Sequence, residues 1–169
     1  MMRMKKIVLI LTVCFLVVSI AGCGGGGPVY DDDEAIARSG DSGSVTSSTV
    51  LVLGDDYTQT AKITGTQTVW GCNAARGGDI KISFSLSVAE GGKAKLVLIS
   101  PDDEVTILTE NKDNNTYTDM QTKTVSIKEG LNRIKVVGDD GPKIELKMHI
   151  EEGRFIINSK DLEDLKENR

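Results

Sequence analysis

Histidine and tryptophan each occur once in this chain of 169 residues, and cysteine and proline three times each. One imidazole, His149, is too few for a histidine-rich metal centre, and it removes most arrangements in which a histidine activates a serine or cysteine. Aromatic side chains are 4% of the residues, so a surface that binds by ring stacking is poorly supplied. Basic charge is also short. Lys and Arg number 20 against 25 Asp and Glu, a formal net charge of −5 with a pI near 5.0. A nucleic-acid partner, which demands a basic face, is not expected. The length is that of one domain.

The longest apolar run, IVLILTVCFLVVSI over residues 7–20, is broken only by Thr12 and Ser19. Its 14 residues fall short of the roughly 20 that cross about 30 Å of hydrocarbon as a helix. Preceded by Arg3, Lys5 and Lys6, the run has the length and flanks of a signal-peptide core. It ends in Ile20-Ala21-Gly22-Cys23. That tetrapeptide resembles the lipobox of bacterial lipoproteins. The resemblance implies that residues 1–22 are a cleaved signal peptide and that Cys23 is the lipid-attachment residue. The mature chain is then held on the extracytoplasmic face of the cell membrane. An ordinary signal peptide and a short uncleaved anchor are the alternatives. Two acyl chains suffice for stable attachment at about 0.8 kcal/mol per buried CH₂. Loss of Arg3, Lys5 and Lys6 leaves 17 basic against 25 acidic residues, a net charge of −8, so attachment gains nothing from a basic patch.

Gly, Ser and Asp dominate residues 24–47, where GGGGP, DDDE and RSGDSGS follow one another. This composition predicts that residues 23–48 form a disordered linker, a flexible coil holding the domain on the order of 27 Å from its anchor. Two motifs fail there on context. Gly22, Gly24 and Gly27 fit GxGxxG, but no strand precedes them and no helical pattern follows. Gly40-Asp41-Ser42-Gly43 resembles the nucleophile segment of trypsin-like serine proteases, which place their histidine upstream, whereas His149 lies far downstream.

Residues 49–158 change to short apolar stretches of period two separated by turn residues, the pattern of antiparallel strands. In 79–88, Ile80, Ile82, Phe84, Leu86 and Val88 share one face and Lys81, Ser83, Ser85 and Ser87 the other. In 143–151, Ile144, Leu146, Met148 and Ile150 point inward while Lys143, Glu145, Lys147, His149 and Glu151 point outward. Strands are also expected over 93–100, 104–110, 121–128 and 131–138, with one or two more over 50–53 and 57–70. About seven to eight strands predict an all-β antiparallel β-sandwich, Ig-like or jelly-roll. Residues 159–169 read as a short helix capped by Ser159 and docked through Leu162 and Leu165, or as a frayed tail. Over 69–151, the Trp70-Gly71 entry, KAKLVLISPDDEVTIL and LNRIKVVG are similar to extracytoplasmic β-sandwiches of Gram-positive lipoproteins. That resemblance implies fold and compartment and carries no functional residue across.

Candidate chemistry is thin. Cys72 is the one thiol remaining once Cys14 leaves and Cys23 is alkylated. It reads as an inert buried thiol; the alternatives are a thiol that pairs with a partner and a reactive one whose pKa Arg76 lowers. A dyad with His149 would need that outward-facing residue beside Cys72. Asn111, Asp113, Asn115 and Asp119 occupy positions 1, 3, 5 and 9 of an EF-hand-like loop, but Thr116 and Thr122 replace the Gly and Glu it requires. Joined by Asp102, Asp103, Asp139 and Asp140, these oxygens would form a weak Ca²⁺ site if their loops converged. Tyr57, Trp70, Phe84, Tyr117 and Phe155 are few for a sugar platform. Ser83, Ser85, Ser87, Lys81, Lys143 and Lys147 offer a polar face instead. The reading that follows is a membrane-anchored, non-enzymatic binding or structural module of the cell envelope, with an envelope protein or polymer as ligand. It has no catalytic residue, cofactor or metal. The alternatives are a Ca²⁺-stabilised adhesion or carbohydrate-binding domain and a thiol enzyme centred on Cys72.

Overall fold

The computed structural model describes residues 29–112 and 119–167. Cys23, the apolar run before it, and Asp113, Asn115, Thr116 and Tyr117 lie outside the described residues. The chain opens with a 3-10 turn (Val29–Asp31) and a one-turn helix α1 (Asp33–Ala37). Nine strands follow among the described residues: β1 (Ser42–Leu53), β2 (Asp56–Ala74), β3 (Gly78–Glu90), β4 (Lys93–Ile99), β5 (Val105–Lys112), β6 (Gln121–Ile127), β7 (Gly130–Asp139), β8 (Lys143–Ile150) and β9 (Arg154–Phe155). Helix α2 (Ser159–Glu167) comes last.

All pairings are antiparallel, and β2, with 19 residues, organises them. One edge of β2 carries β8 against residues 56–62 and β7 against residues 65–74, so β7 and β8 run end to end along it. The other edge carries β1 and, further along, β9. β7 continues outward through β4 to β5, and β8 through β3 to β6. Two half-sheets that share β2 thus curl over one core as a jelly-roll-like half-barrel, an all-β antiparallel sandwich as the alternation predicts.

The curl has a local cause. Gly43 in β1 pairs with Gly65 in β2, which pairs in turn with Gly138 in β7. A Cβ on Gly65 would lie 2.2 Å from the Ser42 carbonyl oxygen, and one on Gly43 would lie 1.9 Å from that of Thr64. Both glycines hold φ near +90°. A row without side chains, two of whose members have left-handed backbone, lets three neighbouring strands fold sharply where β2 passes between half-sheets. Inside the fold lie Ile82, Phe84, Leu86, Leu96, Ile134, Leu146 and Trp70, each almost wholly buried.

Residues 29–48 correct the linker expectation. Residues 29–41 are folded onto the outer face of the β5–β4–β7 half-sheet, where Tyr30, Ile36 and Ala37 form a second core with Val97, Ile99 and Val137, and residues 42–48 already belong to β1. Low apolar content was misleading because three large contacts and several backbone hydrogen bonds hold this strap. Asp32 caps α1 by accepting from Ala35 N at 3.0 Å. The Asp41 carboxylate accepts from Thr68 N at 2.9 Å and from its hydroxyl at 2.8 Å. β1 then begins at Ser42, eight residues before the predicted strand, and with β9 it brings the strand number above the expected seven to eight.

Helix α2 starts where expected, but Asn158 caps it. Asn158 Oδ1 accepts from Lys160 N at 2.9 Å, and the Asp161 carboxylate reaches back to Asn158 N at 3.0 Å. This reciprocal pair displaces Ser159 as the cap. The helix docks on β2 through Leu162 and Leu165; Leu165 Cδ1 lies 2.9 Å from where a Cβ on Gly71 would sit.

Candidate functional site: a cleft at one end of the sandwich

β2, β7 and β4 reach one end of their half-sheet together, because Ala74 pairs with Gly130 and Ile99 with Arg133. There an open cleft of about 680 Å³ forms. Its apolar lining comes from Ala74, Ala75, Pro101 and Leu131, with Gly130 leaving room between them. Its polar lining comes from four different elements: Ser39 from the strap, Asn73 from β2, Arg133 and the preceding Glu129 from β7 and its approach, and Lys166 from α2. Asn73 is itself oriented by α2, donating from Nδ2 to the Leu165 carbonyl at 3.3 Å. An apolar cleft with a few convergent polar groups is the usual form of a binding site for a small ligand or one unit of a polymer.

Arg133 is the unusual member. It is 4% exposed. Nη1 donates to the Arg38 carbonyl at 2.8 Å and Nη2 to the Ala37 carbonyl at 2.7 Å, where the last turn of α1 leaves carbonyls without intrahelical partners. Among the described residues, its acid contact is Asp103, at 3.4 Å and 70% exposed. Nε–H is buried and meets no acceptor among the described residues. Two residues on, Lys135 is fully buried and donates to the Arg38 and Gly40 carbonyls at 2.8 Å each, with Asp41 at 3.4 Å. Burial pushes both cations below their ordinary pKa, an effect that Asp103 and Asp41 oppose. The region behind the cleft therefore holds two buried cations, each hydrogen-bonded to strap carbonyls and paired with a more exposed carboxylate, Asp103 or Asp41.

The strap gives the domain a direction. Near its start, Tyr30 lies under the Lys93 and Lys95 ammonium groups, 4.2 and 4.8 Å from its ring centre, and donates to Glu110 at 2.9 Å. Near its end, Ala37, Arg38 and Ser39 meet Arg133 and the cleft. Lys93 pairs with Asp139 and Ile99 with Arg133, so the two ends are about 20 Å apart at roughly 3.3 Å per strand residue.

The residues singled out in the sequence do not gather. Cys72 is half-buried near the end of β2, and His149 pairs with Asp56 at its start. Burial and Glu152 push the Cys72 thiol above its ordinary pKa, so Arg76 does not activate it. His149 Nδ1 lies 2.9 Å from the Asp56 carboxylate on the exposed face. Asn111 is buried and donates to the Leu86 carbonyl at 2.9 Å. Asp102 is hydrogen-bonded by Lys128 and by Ser100, which hold its carboxyl down at about 2. Asp103 faces Arg133, and Asp139 faces Lys93 at 3.5 Å. Among the described residues, no three His, Cys, Asp or Glu side chains come together as metal ligands. Tyr30, Tyr57, Trp70, Phe84 and Phe155 are all buried and offer no ring platform. Tyr57 stacks on Phe155 with ring centres 5.1 Å apart, and Trp70 Nε1 donates to the Glu152 carbonyl at 2.8 Å. Ser83, Ser85 and Ser87 lie on the outer face beside Lys147 and Glu145 in register, as the alternation predicts.

The described residues form an all-β antiparallel sandwich of jelly-roll type with an open cleft at one end. No family model matches the chain, and no curated protein matches it. Solved structures do. A family 29 carbohydrate-binding module is 15% identical with a TM-score of 0.35, covering 77% of this chain and 89% of the module. A carbohydrate-binding module from Cellvibrio mixtus lichenase 5A, in complex with cellotriose, is 11% identical with a TM-score of 0.37, covering 66% and 91%. An exo-β-1,3-galactanase from Phanerochaete chrysosporium is 14% identical with a TM-score of 0.38, and the chain spans 26% of its length. Likeness at this level transfers no residue role and no ligand.

Proposed function

We propose that this chain is a lipid-anchored, non-catalytic binding module of the cell envelope, and that its cleft takes one unit of an envelope saccharide polymer. The observation that carries the binding reading is the cleft itself: about 680 Å³, open, with an apolar floor and polar side chains from four elements. Its volume suits one or two sugar rings. The buried aromatics direct recognition to hydrogen bonds and charge in place of ring stacking. Lipid attachment at Cys23 rests on the apolar run and Ile20-Ala21-Gly22-Cys23. With the strap folded from Val29 onward, Cys23 is six residues from the domain, a reach of at most about 20 Å.

The test uses the full chain expressed in a bacterial host, extracted in detergent and passed over immobilised envelope polysaccharide. Retention is expected, with the protein recovered from the membrane fraction. The Cys23→Ala chain is expected to accumulate unlipidated with its signal peptide uncleaved, whereas an ordinary secreted protein would be processed as before. A full chain that flows through with the unbound protein contradicts the binding reading. A Cys23→Ala chain that stays lipid-modified contradicts the anchor.

A further inference from the structure

We propose that β1 is a self-pairing edge: two copies of this chain join their β1 strands antiparallel about Leu51 and make one continuous sheet. Among the described residues, β2 occupies one side of β1 and no strand occupies the other. A bare strand edge is a row of open N–H and C=O groups, which proteins ordinarily blunt with a charge, a proline or a cover. The two ends of the main sheet are treated in that way. β5 carries Glu110 and Lys112, β6 carries Lys123, and Lys123 Nζ donates across to the Leu108 carbonyl at 2.5 Å. From Ser42 to Leu53, β1 has neither a charge nor a proline. It ends in Thr49-Val50-Leu51-Val52-Leu53, apolar on both faces, with Leu51 54% and Leu53 65% exposed. A strand apolar on both faces needs cover on both. The strap supplies it for β4 and β7, whereas the outer face of β1 lies open at Leu51 and Leu53.

Symmetry identifies the occupant as a second copy. Two copies of one strand join antiparallel through a two-fold axis normal to the sheet, which passes between identical residues and keeps each face on its own side. The regular part of β1 fixes which residue that is. A bulge between Thr46 and Thr49, where Ser47 holds a φ of +51°, ends it on one side, and the turn at Gly54 ends it on the other. The residues between are Thr49 to Leu53, with Leu51 in the middle. With Leu51 on the axis, Val50 lies opposite Val52 of the second copy, on the face that already packs against the main core. Thr49 then lies opposite Leu53 of the second copy on the outer face. Cross-strand pairs of β-branched and apolar side chains are what stabilise a sheet. Each copy has a net charge of −5, but the strand itself is uncharged, so the ladder sets no like charges opposite each other. A strand from a different protein would require no such symmetry. The pairing goes beyond the saccharide reading, since β1 does not line the cleft.

Sedimentation of the full chain in detergent, with the micelle mass subtracted, and cysteine cross-linking test this. So short a ladder is smaller than a standard interface of about 800 Å² per partner, so reversible dimers are expected at about 100 µM and monomers at about 1 µM. On oxidation with diamide, a Leu51→Cys chain is expected to cross-link as a dimer at least about 5-fold more than the parent, because Cα atoms paired on the axis are about 4.5 to 5.5 Å apart, within disulfide reach. A Leu53→Cys chain is expected to stay at the parent's level, since the two copies of that position lie roughly 13 Å apart along the strands. Leu51→Lys sets like charges opposite each other. That chain is expected to remain a monomer at about 100 µM and to melt within about 2 °C of the monomeric parent, as a change at an exposed position should. A parent that sediments as one copy at about 100 µM, or a Leu51→Lys chain that dimerises as the parent does, overturns the pairing. Cross-linking of Leu51→Cys no greater than that of Leu53→Cys overturns it as well. Retention of the Leu51→Lys chain on envelope polysaccharide is expected to match the parent's, so the pairing and the saccharide reading fail separately.

Discussion

Lys135 shows how single side chains decide what this sandwich presents. Its ammonium is enclosed with no exposed surface and spends its hydrogen bonds on the carbonyls of Arg38 and Gly40. Arg133 does the same for Ala37 and Arg38. The two cations fasten the strap to β7 and bring Ser39 to the cleft. Lys135→Ala takes from the Gly40 carbonyl its ammonium partner, leaves Arg133 alone to serve the Arg38 carbonyl, breaks the pair with Asp41 and leaves a void. A loss of about 3 kcal/mol is expected in urea unfolding, accompanied by faster proteolytic cutting between residues 38 and 41. Unchanged stability and cutting would mean that the strap is held by Tyr30 and Ile36 alone. Cys72 illustrates the opposite case. It has the residue type for chemistry, but burial and the charge of Glu152 keep its sulfur protonated.

At the scale of elements, the glycine row Gly43–Gly65–Gly138 is the feature on which the curl depends. Gly65→Ala places a Cβ 2.2 Å from a carbonyl oxygen at a φ of +93°. It is expected to cost about 3 kcal/mol or more and to lower the thermal midpoint by roughly 10 °C or more. A shift within a degree or two would show that the crease is not needed. Strand positions were readable in the sequence because period two is local: β3 and β8 place Ile82, Phe84, Leu146 and Met148 inward as their alternation requires. The strap was not readable. Its contacts join Tyr30 to Glu110 and Arg133 to Ala37 across eighty or more residues, and no local pattern encodes such a separation. One signal did exist. In KAKLVLI and LNRIKVV both strand faces turn apolar toward one end, with Val97, Ile99 and Val137 opposite the main core. A strand apolar on both faces needs cover on both. The cleft was hidden for the same reason, since Ser39, Asn73, Arg133 and Lys166 are distant in sequence and meet only where strap, sheet and α2 end together.

For the whole molecule, function follows from how the ends are arranged. The strap runs from the Lys93–Asp139 end of one half-sheet to the Arg133 end, and the cleft opens where β2, β4, β7 and α2 converge. The proposed anchor at Cys23 would lie closer along the chain to the first end than to the cleft. Hydrogen–deuterium exchange of the full chain in detergent, with and without soluble envelope polysaccharide, tests the cleft as the binding surface most directly. Slower exchange is expected at residues 73–75, 129–133 and 165–167, with β3, β6 and β8 unaffected. Protection confined to the exposed strand β1 or to the outer face of β3 and β8, with no change around Arg133, would contradict it.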